Sequence, residues 1–270
     1  MSLLKAAIKR YLLGRRVFQP FYEQLLQVAL RGMNIGGGSS VADSGELLVL
    51  DLIRSRVVKS ETAVIFDVGA NIGAYANAVL DRFGDSTNLY CFEPSVAAFA
   101  RLSAAVGERQ CIKCFQFGFG GREEMTTLYS NDPSSGLASV YNRRLNHFGV
   151  ILAPAEQITL KTIDRFCDTN GVSYIDFLKL DVEGSEFRVL EGAKEMLHRN
   201  AIGAVQFEFG GCNIDSRTYF QDFFYLLNPD FRLYRVLTDG LRLVDTYQET
   251  HEVFTTTNFV ALSRTERRSR

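Results

Sequence analysis

From residue 60 onward, short apolar segments alternate with segments of helical periodicity. The segments with the character of buried strands are 63–67, 88–93, 111–117, 174–181, 201–209, 231–237 and 257–262. Helical patterns lie between many of them, at 71–82, 95–106, 185–198 and 218–227. This order is typical of βαβ units, in which helices cover both faces of a sheet. It predicts an α/β, Rossmann-like fold built on a mainly parallel sheet.

The segment before this alternation has a different character. Residues 1–59 hold two helical patterns, at 3–13 and 21–30, and the flexible sequence Gly36-Gly-Gly-Ser-Ser40 follows them. We therefore divide the chain into three parts. They are an N-terminal helical arm with a Gly/Ser linker (1–59), an α/β domain (60–263) and a basic tail (264–270).

The net charge of −1 is unevenly distributed along the chain. Residues 1–31 carry an excess of five positive charges and residues 264–270 an excess of three, which leaves a net charge of −9 between them. An acidic body is unlike a protein that coats nucleic acid, so no nucleic-acid partner is expected. The arm is predicted either to dock on the domain as a pair of helices or to make peripheral contact with an anionic membrane or an acidic ligand.

Composition narrows the class of protein further. Hydrophobic residues make up 46% of the chain, which is too much for a disordered protein. No apolar run approaches the roughly 18 residues of a transmembrane helix, and no signal-peptide pattern follows the first basic residues. Five cysteines, four of them in apolar stretches, are expected to be free thiols in a cytoplasmic protein. Cys111-Ile-Lys-Cys114 has the spacing of half a zinc site, but no second pair follows and we favour a strand there.

The first predicted strand runs into the sequence Asp67-Val-Gly-Ala-Asn-Ile-Gly73. Glycines at a strand-to-helix turn let the backbone approach a ligand above the strand ends. The dinucleotide-binding pattern G-x-G-x-x-G is absent, because Asn71 and Ala74 stand at two of its glycine positions. Glu93 ends the second strand, where a carboxylate can accept hydrogen bonds from both hydroxyls of a ribose. The two features together predict an adenosine-type ligand.

A second polar motif, Leu178-Lys-Leu-Asp-Val-Glu-Gly-Ser-Glu186, begins at the end of the fourth predicted strand and continues into the next helix. Asp181 lies at the carboxyl end of that strand, where open α/β sheets bind ligands. For Glu186, an alternative role is only to favour the dipole of the next helix.

Two segments, 130–157 and 244–256, lack clear periodicity. A segment of this kind in a compact domain is often a lid or a binding loop, so we expect a substrate to bind at 130–157. Tyr247, His251 and Phe254 are expected to help shape the same pocket. Asp239-Gly240 has the sequence of a two-residue hairpin turn.

Five motifs occur in order along residues 60–263. They are Asp67–Gly73, Cys91–Pro94, Leu178–Glu186, Gln206–Glu208 and Thr257–Leu262. In this arrangement they resemble the FkbM family of S-adenosylmethionine-dependent methyltransferases. The resemblance implies a seven-stranded class I methyltransferase sheet and transfer of a methyl group to a hydroxyl of a sugar, glycan or natural product.

Carried over by position, the resemblance also implies which residues bind the cofactor. They are Asp67, Gly69, Asn71, Gly73, Glu93, Gln116 and Phe117. Gln116 departs from the pattern, because Asn is expected there in this family. The segment Ser135–Tyr141 looks like the family's loop before the central strand.

An alcohol is a weak acid, so methyl transfer to oxygen needs help in removing the proton. His147, in the long loop, and Asp181 are the two candidate general bases. A third route is a divalent cation such as Mg²⁺, held by the carboxylates of Asp181 and Glu208. If no metal binds, both carboxylates are expected to shape the acceptor site.

Two other functions remain open from the sequence. An NAD-type oxidoreductase would also explain Glu93, although two of the three glycines of its pattern are absent. A non-catalytic nucleoside-binding or scaffold protein is the other alternative. Among methyl acceptors, oxygen is favoured, because no Pro precedes a Cys and no Pro-Pro-aromatic motif follows the fourth strand.

Overall fold

The computed structural model describes residues 12–37, 44–57 and 62–265. In chain order its strands are β1 (Ala63–Val68), β2 (Thr87–Phe92), β3 (Ile112–Phe115), β4 (Gly118–Phe119), β5 (Glu124–Ser130), β6 (Ala153–Lys161), β7 (Phe177–Leu180), β8 (Ala204–Phe209), β9 (Phe231–Val236), β10 (Leu241–Val244) and β11 (Thr257–Ser263).

The helices alternate with these strands over most of the chain. They are α1 (Gln19–Gly32), α2 (Glu46–Arg56), α3 (Ala74–Phe83), α4 (Val96–Val106), α5 (Ile163–Asn170), α6 (Glu186–Glu191), α7 (Lys194–His198), α8 (Cys212–Ser216) and α9 (Phe220–Leu227). Short 3-10 helices occur at Arg16–Phe18, Asn146–Phe148 and Glu249–His251.

The main sheet has the strand order β10-β9-β11-β8-β7-β1-β2-β3. The strands from β8 to β3 are parallel, whereas β11 is antiparallel to both of its neighbours. The chain moves outward from β1 to β3 and then returns to β7 on the other side of β1. The boundary between β1 and β7 is therefore a topological switch point, where open α/β sheets form a ligand crevice at the carboxyl ends of the strands.

Alternating side chains of the sheet supply two hydrophobic cores. In β1, Phe66 packs into the core covered by α5, α6, α7 and α9, and Ile65 packs into the core covered by α2, α3 and α4. Both side chains are fully buried. The predicted α/β fold, with helices on both faces of a mainly parallel sheet, is confirmed.

The number of strands differs from the expected seven. The main sheet has eight strands, because the predicted Asp239-Gly240 turn adds β10 at the edge, with Leu241 paired to Val236. A second, three-stranded sheet in the order β4-β6-β5 was not expected. Strand β6 occupies the end of the segment 130–157, so the irregular part of that segment is shorter than predicted.

Two predicted helices have different boundaries. The helix expected at 71–82 begins at Ala74, because Asn71 and Gly73 adopt positive φ angles of 44° and 90° in the turn before it. The helix expected at 185–198 is divided into α6 and α7. A side chain at Gly192, between them, would overlap the carbonyl oxygen of Gly120.

The N-terminal arm is helical at α1, as predicted for 21–30, and the helix predicted at 3–13 lies almost wholly outside the described residues. Of the Gly/Ser linker, residues 38–40 also lie outside them. The end of the arm contacts the domain: Ile35 is buried and the amide of Gly36 donates to the carbonyl of Thr256 at 2.8 Å.

All five cysteines are free, and Cys114 lies in β3. In the parts of the chain that are described, no helix is long and apolar enough to cross a membrane.

Candidate active site

The turn after β1 brings backbone close to the end of β7. Gly69 has a φ of 82°, and a Cβ there would overlap the carbonyl oxygen of Asp181. The amides of Gly69 and Ala70 both donate to the carbonyl of Phe92, at 2.9 and 3.0 Å. Only glycine fits this position, and the turn joins the ends of β1, β2 and β7.

Glu93, immediately after β2, is held by two backbone amides. Oε2 accepts from Asn71 at 2.9 Å and Oε1 from Ser95 at 2.9 Å. Burial raises the pKa of Glu93 to about 7, although these two hydrogen bonds act in the opposite direction. Each carboxylate oxygen keeps a further lone pair with which to accept a ligand hydroxyl.

Lys179 places a buried positive charge between two aspartates. Its Nζ lies 3.1 Å from Oδ2 of Asp181 and 3.5 Å from Oδ1 of Asp67, and 4.7 Å from the centre of the Tyr75 ring. Burial alone would lower the pKa of Lys179, but the negative charges of Asp181 and Asp67 outweigh it and raise the pKa. The pKa of Asp67, which is fully buried, is raised by burial and lowered in part by Lys179. Lys179 therefore remains charged at the end of β7.

The turn between β7 and α6 is built around two glutamates with different tasks. Glu186 is buried and accepts the amides of Val182 and Gly184, so it holds the turn together. Burial raises its pKa to about 7 against these hydrogen bonds. Glu183 has a left-handed φ of 51° and forms an ion pair with Arg143. Burial, followed by the charge of Asp181, raises the pKa of Glu183 to about 8.

The loop after β5 is fastened to this turn. Ser139 Oγ donates to the carbonyl of Glu183 at 2.7 Å, and Arg143 reaches the carboxylate of the same residue. Ser139 also pairs with Tyr129 at the end of β5. The loop thus covers the carboxyl ends of the central strands.

A cavity of about 410 Å³ lies beneath this loop. Gly69, Asn71 and Glu93 line it on the side of β1 and β2, and the residues Ser135 to Val140 line it from the loop. Glu46, Lys179, Asp181, Glu208 and Asn258 line it on the side of β7, β8 and β11. Glu93 lies after β2 and Glu208 lies near the end of β8, and these strands are three positions apart in the sheet. Since neighbouring strands are about 4.8 Å apart, the cavity extends roughly 14 Å across the sheet.

Five of the predicted site residues line this cavity: Gly69, Asn71, Glu93, Asp181 and Glu208. Five others do not. Asp67 lies buried behind it against Lys179, Gly73 packs beside Leu102, and Phe117 belongs to the core. Gln116 is exposed, and Gly118 and Phe119 line the cavity next to it instead.

The fifth, His147, is exposed in the loop. Its ring lies 4.2 Å from that of Phe148, measured between ring centres, and the residue is not part of the cavity lining. Tyr247 and Phe254, expected to shape the acceptor pocket, pack against the core under α9, and His251 lines a separate small cavity.

Three cavity residues were missed from the sequence. Glu46 comes from α2, where its carboxylate accepts from Ser44 Oγ and Gln206 Nε2, each at 2.8 Å. Lys179 carried a recognisable signal, because it interrupts an apolar strand. Phe119 lies in a two-residue strand that has no periodicity to detect.

The donor set for a metal is incomplete. The carboxylates of Asp181 and Glu208 both line the cavity, and the pKa of Glu208 is raised well above its usual value by burial and by the charge of Asp181. Oδ2 of Asp181 is already bound to Lys179. Across the described ranges, no three His, Cys, Asp or Glu side chains come together as metal ligands. These residues do not fit a divalent cation.

Comparison with known proteins identifies a family whose model matches this chain. The model of the methyltransferase FkbM domain matches residues 67–235, more than half of the chain. The 2-O-methyltransferase NoeI of Sinorhizobium fredii is 27% identical over 146 residues, which is 50% of this chain and 58% of NoeI. The AMB antimetabolite synthetase AmbE of Pseudomonas aeruginosa is 29% identical over 171 residues, 52% of this chain and 8% of AmbE. The matched regions thus span less than two thirds of either relative.

Solved structures are more distant. An S-adenosylmethionine-dependent O-methyltransferase from Thermotoga maritima aligns at 14% identity and a TM-score of 0.41, covering 83% of this chain and 65% of the other. Fibrillarin from Aeropyrum pernix, solved with S-adenosyl-L-methionine, aligns at 14% identity and a TM-score of 0.43, covering 82% of this chain and 77% of the other.

Proposed function

The chain belongs to the methyltransferase FkbM family, and from this membership we propose that it transfers the methyl group of S-adenosylmethionine to a hydroxyl of a sugar, glycan or polyketide-like natural product. Family membership makes it an S-adenosylmethionine-dependent methyltransferase rather than an NAD-type oxidoreductase or a scaffold. The observation that carries the proposal is the single cavity that joins Glu93 to Asp181 and Glu208. Donor and acceptor must share one enclosed space for in-line transfer.

The side of the cavity near β1 and β2 fits the cofactor. Glu93 offers a buried carboxylate to the ribose hydroxyls, and Asn71 Oδ1 is buried without a hydrogen-bond partner in the described structure. The bound cofactor would supply an electrophilic methyl group on a positively charged sulfur. The carboxylates that line the cavity favour such a cation.

The side near β7 and β8 fits a neutral polyol. Glu46, Asp181 and Glu208 are acceptors for hydroxyl donors, while Lys179 is a donor. An anionic group at this place would be repelled by the carboxylates of Glu46 and Asp181, against the positive charge of Lys179. The relative NoeI is named a 2-O-methyltransferase, which agrees with a hydroxyl acceptor.

Asp181 is the proposed general base. Lys179 holds one of its oxygens at 3.1 Å, which fixes the carboxylate and leaves Oδ1 for the acceptor hydroxyl. The side chain is 43% exposed, towards a cavity that it lines. The described residues provide no third metal ligand, so removal of the proton is assigned to Asp181.

The direct test is an activity assay on the full chain. Purified protein is incubated with S-adenosylmethionine and matched panels of neutral sugars, uronic acids, phenols and amines. The masses of the products are then measured by mass spectrometry. We expect a gain of one CH₂ unit on neutral sugars or other neutral aliphatic alcohols. Methylation of amines alone, or of uronic acids in preference to neutral sugars, would contradict the proposed acceptor class.

A binding test distinguishes a methyltransferase cofactor from NAD. S-adenosylhomocysteine should raise the melting temperature of the protein, because a ligand that binds only the folded state stabilises it, and NAD should not. Stabilisation by NAD alone would contradict the proposal.

We also propose a partner for the arm, namely an anionic membrane surface. Helix α1 buries none of its residues, and Phe21, Leu25, Leu26 and Val28 are each more than half exposed. Arg15, Arg16 and Arg31 lie around it with Glu23 as the opposing charge. An apolar face flanked by basic residues is typical of helices that lie in a membrane interface.

A further inference from the structure

A second cavity, of about 230 Å³, lies on the other face of β11 from the candidate active site. Thr257 and Phe259 line this cavity, whereas Thr256 and Asn258 line the larger one. Because side chains alternate along a strand, the two cavities are on opposite sides of the sheet. The small cavity is therefore not part of the proposed methyl-transfer site.

Most of its lining is apolar and comes from three parts of the molecule. Met33 and Ile35 belong to the end of the arm, Phe209 and Phe259 to the sheet, and Val253 to the segment before β11. Against this lining are set the side chains of Arg235 and His251. The cavity thus combines a hydrocarbon surface with two nitrogen-bearing groups.

Among the described residues, no carboxylate is paired with Arg235. Its Nε is buried and has no hydrogen-bond partner within the described ranges. Directly across the strand pair it faces Arg242, another cation. Like charges in directly opposed positions destabilise a sheet, so an anion bound beside Arg235 would relieve the repulsion between the two arginines.

His251 adds a second donor. Its Nδ1 accepts the backbone amide of Gln248 at 3.1 Å, which leaves Nε2 as the nitrogen that carries hydrogen. The neighbouring acid, Glu252, acts on His251 through its charge, but among the described residues it forms no ion pair with Arg235. Its two oxygens accept the amides of Phe220 and Gln221 at the start of α9, and the hydroxyl of Tyr247.

We propose that this cavity binds a small organic anion, a carboxylate on a short hydrocarbon chain, with the carboxylate at Arg235 and His251 and the chain against Ile35 and Phe259. A guanidinium recognises a carboxylate through paired hydrogen bonds. The apolar lining would exclude a fully hydrated ion such as phosphate. The ligand would also join the arm to the domain, because it contacts residues of both.

Calorimetry and thermal unfolding of the full chain with butanoate, hexanoate, the corresponding alcohols and inorganic phosphate test this site. Hexanoate should bind more tightly than butanoate, and both should raise the melting temperature, whereas the alcohols and phosphate should not. Saturating S-adenosylhomocysteine should leave this response unchanged. Equal responses to acid and alcohol, or binding of phosphate as tight as that of hexanoate, would overturn the proposal.

The matched variants are Arg235→Met and Arg232→Met, which remove one positive charge from the same strand. Arg232 is exposed and does not line the cavity. We expect Arg235→Met to weaken hexanoate binding at least roughly tenfold, as for loss of a charge-assisted hydrogen bond, and Arg232→Met to leave it unchanged. Without ligand, Arg235→Met should melt no lower than the parent, because it removes an unpaired charge. An unchanged hexanoate affinity in Arg235→Met would overturn the proposal. A lower melting temperature without ligand would contradict the premise that Arg235 is unpaired in the fold.

Discussion

Two residues of the candidate active site adopt a backbone conformation that is unfavourable for them. Asn71 and Glu183 have φ angles of 44° and 51°, and both line the large cavity. Such a residue costs about 1–3 kcal/mol unless its surroundings hold it in place. The amide of Asn71 is held by Glu93, and the carbonyl of Glu183 by Ser139. The strain therefore lies in the two turns that present polar groups to the cavity.

Replacing Asp181 by Asn tests the proposed base at this scale. The variant keeps the shape of the side chain but cannot take the acceptor proton, so we expect kcat to fall by roughly 10²–10⁴. The Kd for S-adenosylhomocysteine, measured by calorimetry, should stay within about threefold, since the change lies outside the proposed ribose site. Asp230→Asn, at an exposed aspartate, is the matched control.

The same assay distinguishes the second candidate base. Because His147 is exposed and outside the cavity lining, His147→Gln should leave kcat almost unchanged. A normal kcat in Asp181→Asn together with a large loss in His147→Gln would move the proton transfer to the loop.

The raised pKa of Glu93 predicts how cofactor binding depends on pH. Its carboxylate must be ionised to accept two ribose hydroxyls, and burial raises its pKa to about 7 in the free protein. Affinity for S-adenosylhomocysteine should therefore weaken as pH falls below 7, approaching roughly tenfold per pH unit. Calorimetry between pH 5.5 and 8.5 measures the slope.

The control for this profile is a pair of Glu→Gln variants. Glu93→Gln should bind weakly and lose the slope that Glu93 causes, whereas Glu124→Gln, at a carboxylate paired with Arg122 away from the cavity, should keep it. A slope that survives in Glu93→Gln would assign the titration to another group, such as Glu183.

Single residues could be predicted from the sequence where a motif follows a strand directly. Gly69, Asn71, Glu93 and Asp181 follow strands and Glu208 lies near the end of one, and the structure places all five predicted residues in the lining of one cavity. The other partners come from distant segments and depend on packing. Glu46 reaches the cavity from a helix before the domain, and Arg143 reaches Glu183 from 40 residues away along the chain. No local pattern specifies such contacts.

Among elements, buried strands were easier to predict than strands with one exposed face. The strands β1, β7 and β8 are almost wholly buried and read as apolar runs. In β5 and β6 only Leu128, Ile158 and Leu160 are buried, so most positions there are polar or exposed and their sheet left no clear signal. The unpredicted division between α6 and α7 has a tertiary cause, since Gly192 packs against Gly120.

The close approach of Gly192 to Gly120 predicts that a side chain at Gly192 would disturb the packing of α6 and α7. Gly192→Ala would force α6 and α7 away from the chain beside β4, and the amide of Asp164 donates to Gly192 at 3.0 Å, so that contact would also shift. We expect a loss of about 1–3 kcal/mol in the free energy of unfolding, typical of overpacking. Chemical denaturation measures it.

Gly32→Ala is the matched control, because a Cβ there meets no atom of the described residues within 4 Å. Its position at the end of α1 should make the change neutral or slightly stabilising through helix propensity. Equal losses in both variants would contradict the packing argument.

At the scale of the whole molecule, the distribution of charge separates two surfaces. Net charge −9 lies between residues 32 and 263, and the excess of positive charge lies at the two ends. The acidic part contains the cavity proposed for a cationic cofactor. The basic arm carries the exposed apolar side of α1. Net charge for the entire chain, at −1, conceals this division.

The proposed membrane contact follows from that division and can be tested on the full chain by cosedimentation with vesicles. Binding should be strong to vesicles of mixed phosphatidylcholine and phosphatidylglycerol, weak to phosphatidylcholine alone, and reduced by salt, since screening shortens the range of attraction to about 8 Å at physiological ionic strength. Phe21→Glu/Leu25→Glu places two charges on the apolar side of α1 and should abolish binding. Gln24→Glu/Gln27→Glu makes the same change of charge on its polar side and should weaken binding only in part. Equal effects of the two double variants would exclude insertion of the apolar side into the membrane. If instead the parent protein self-associates without binding vesicles, and Phe21→Glu/Leu25→Glu abolishes that self-association, the apolar side is assigned to contact with a second copy of the chain.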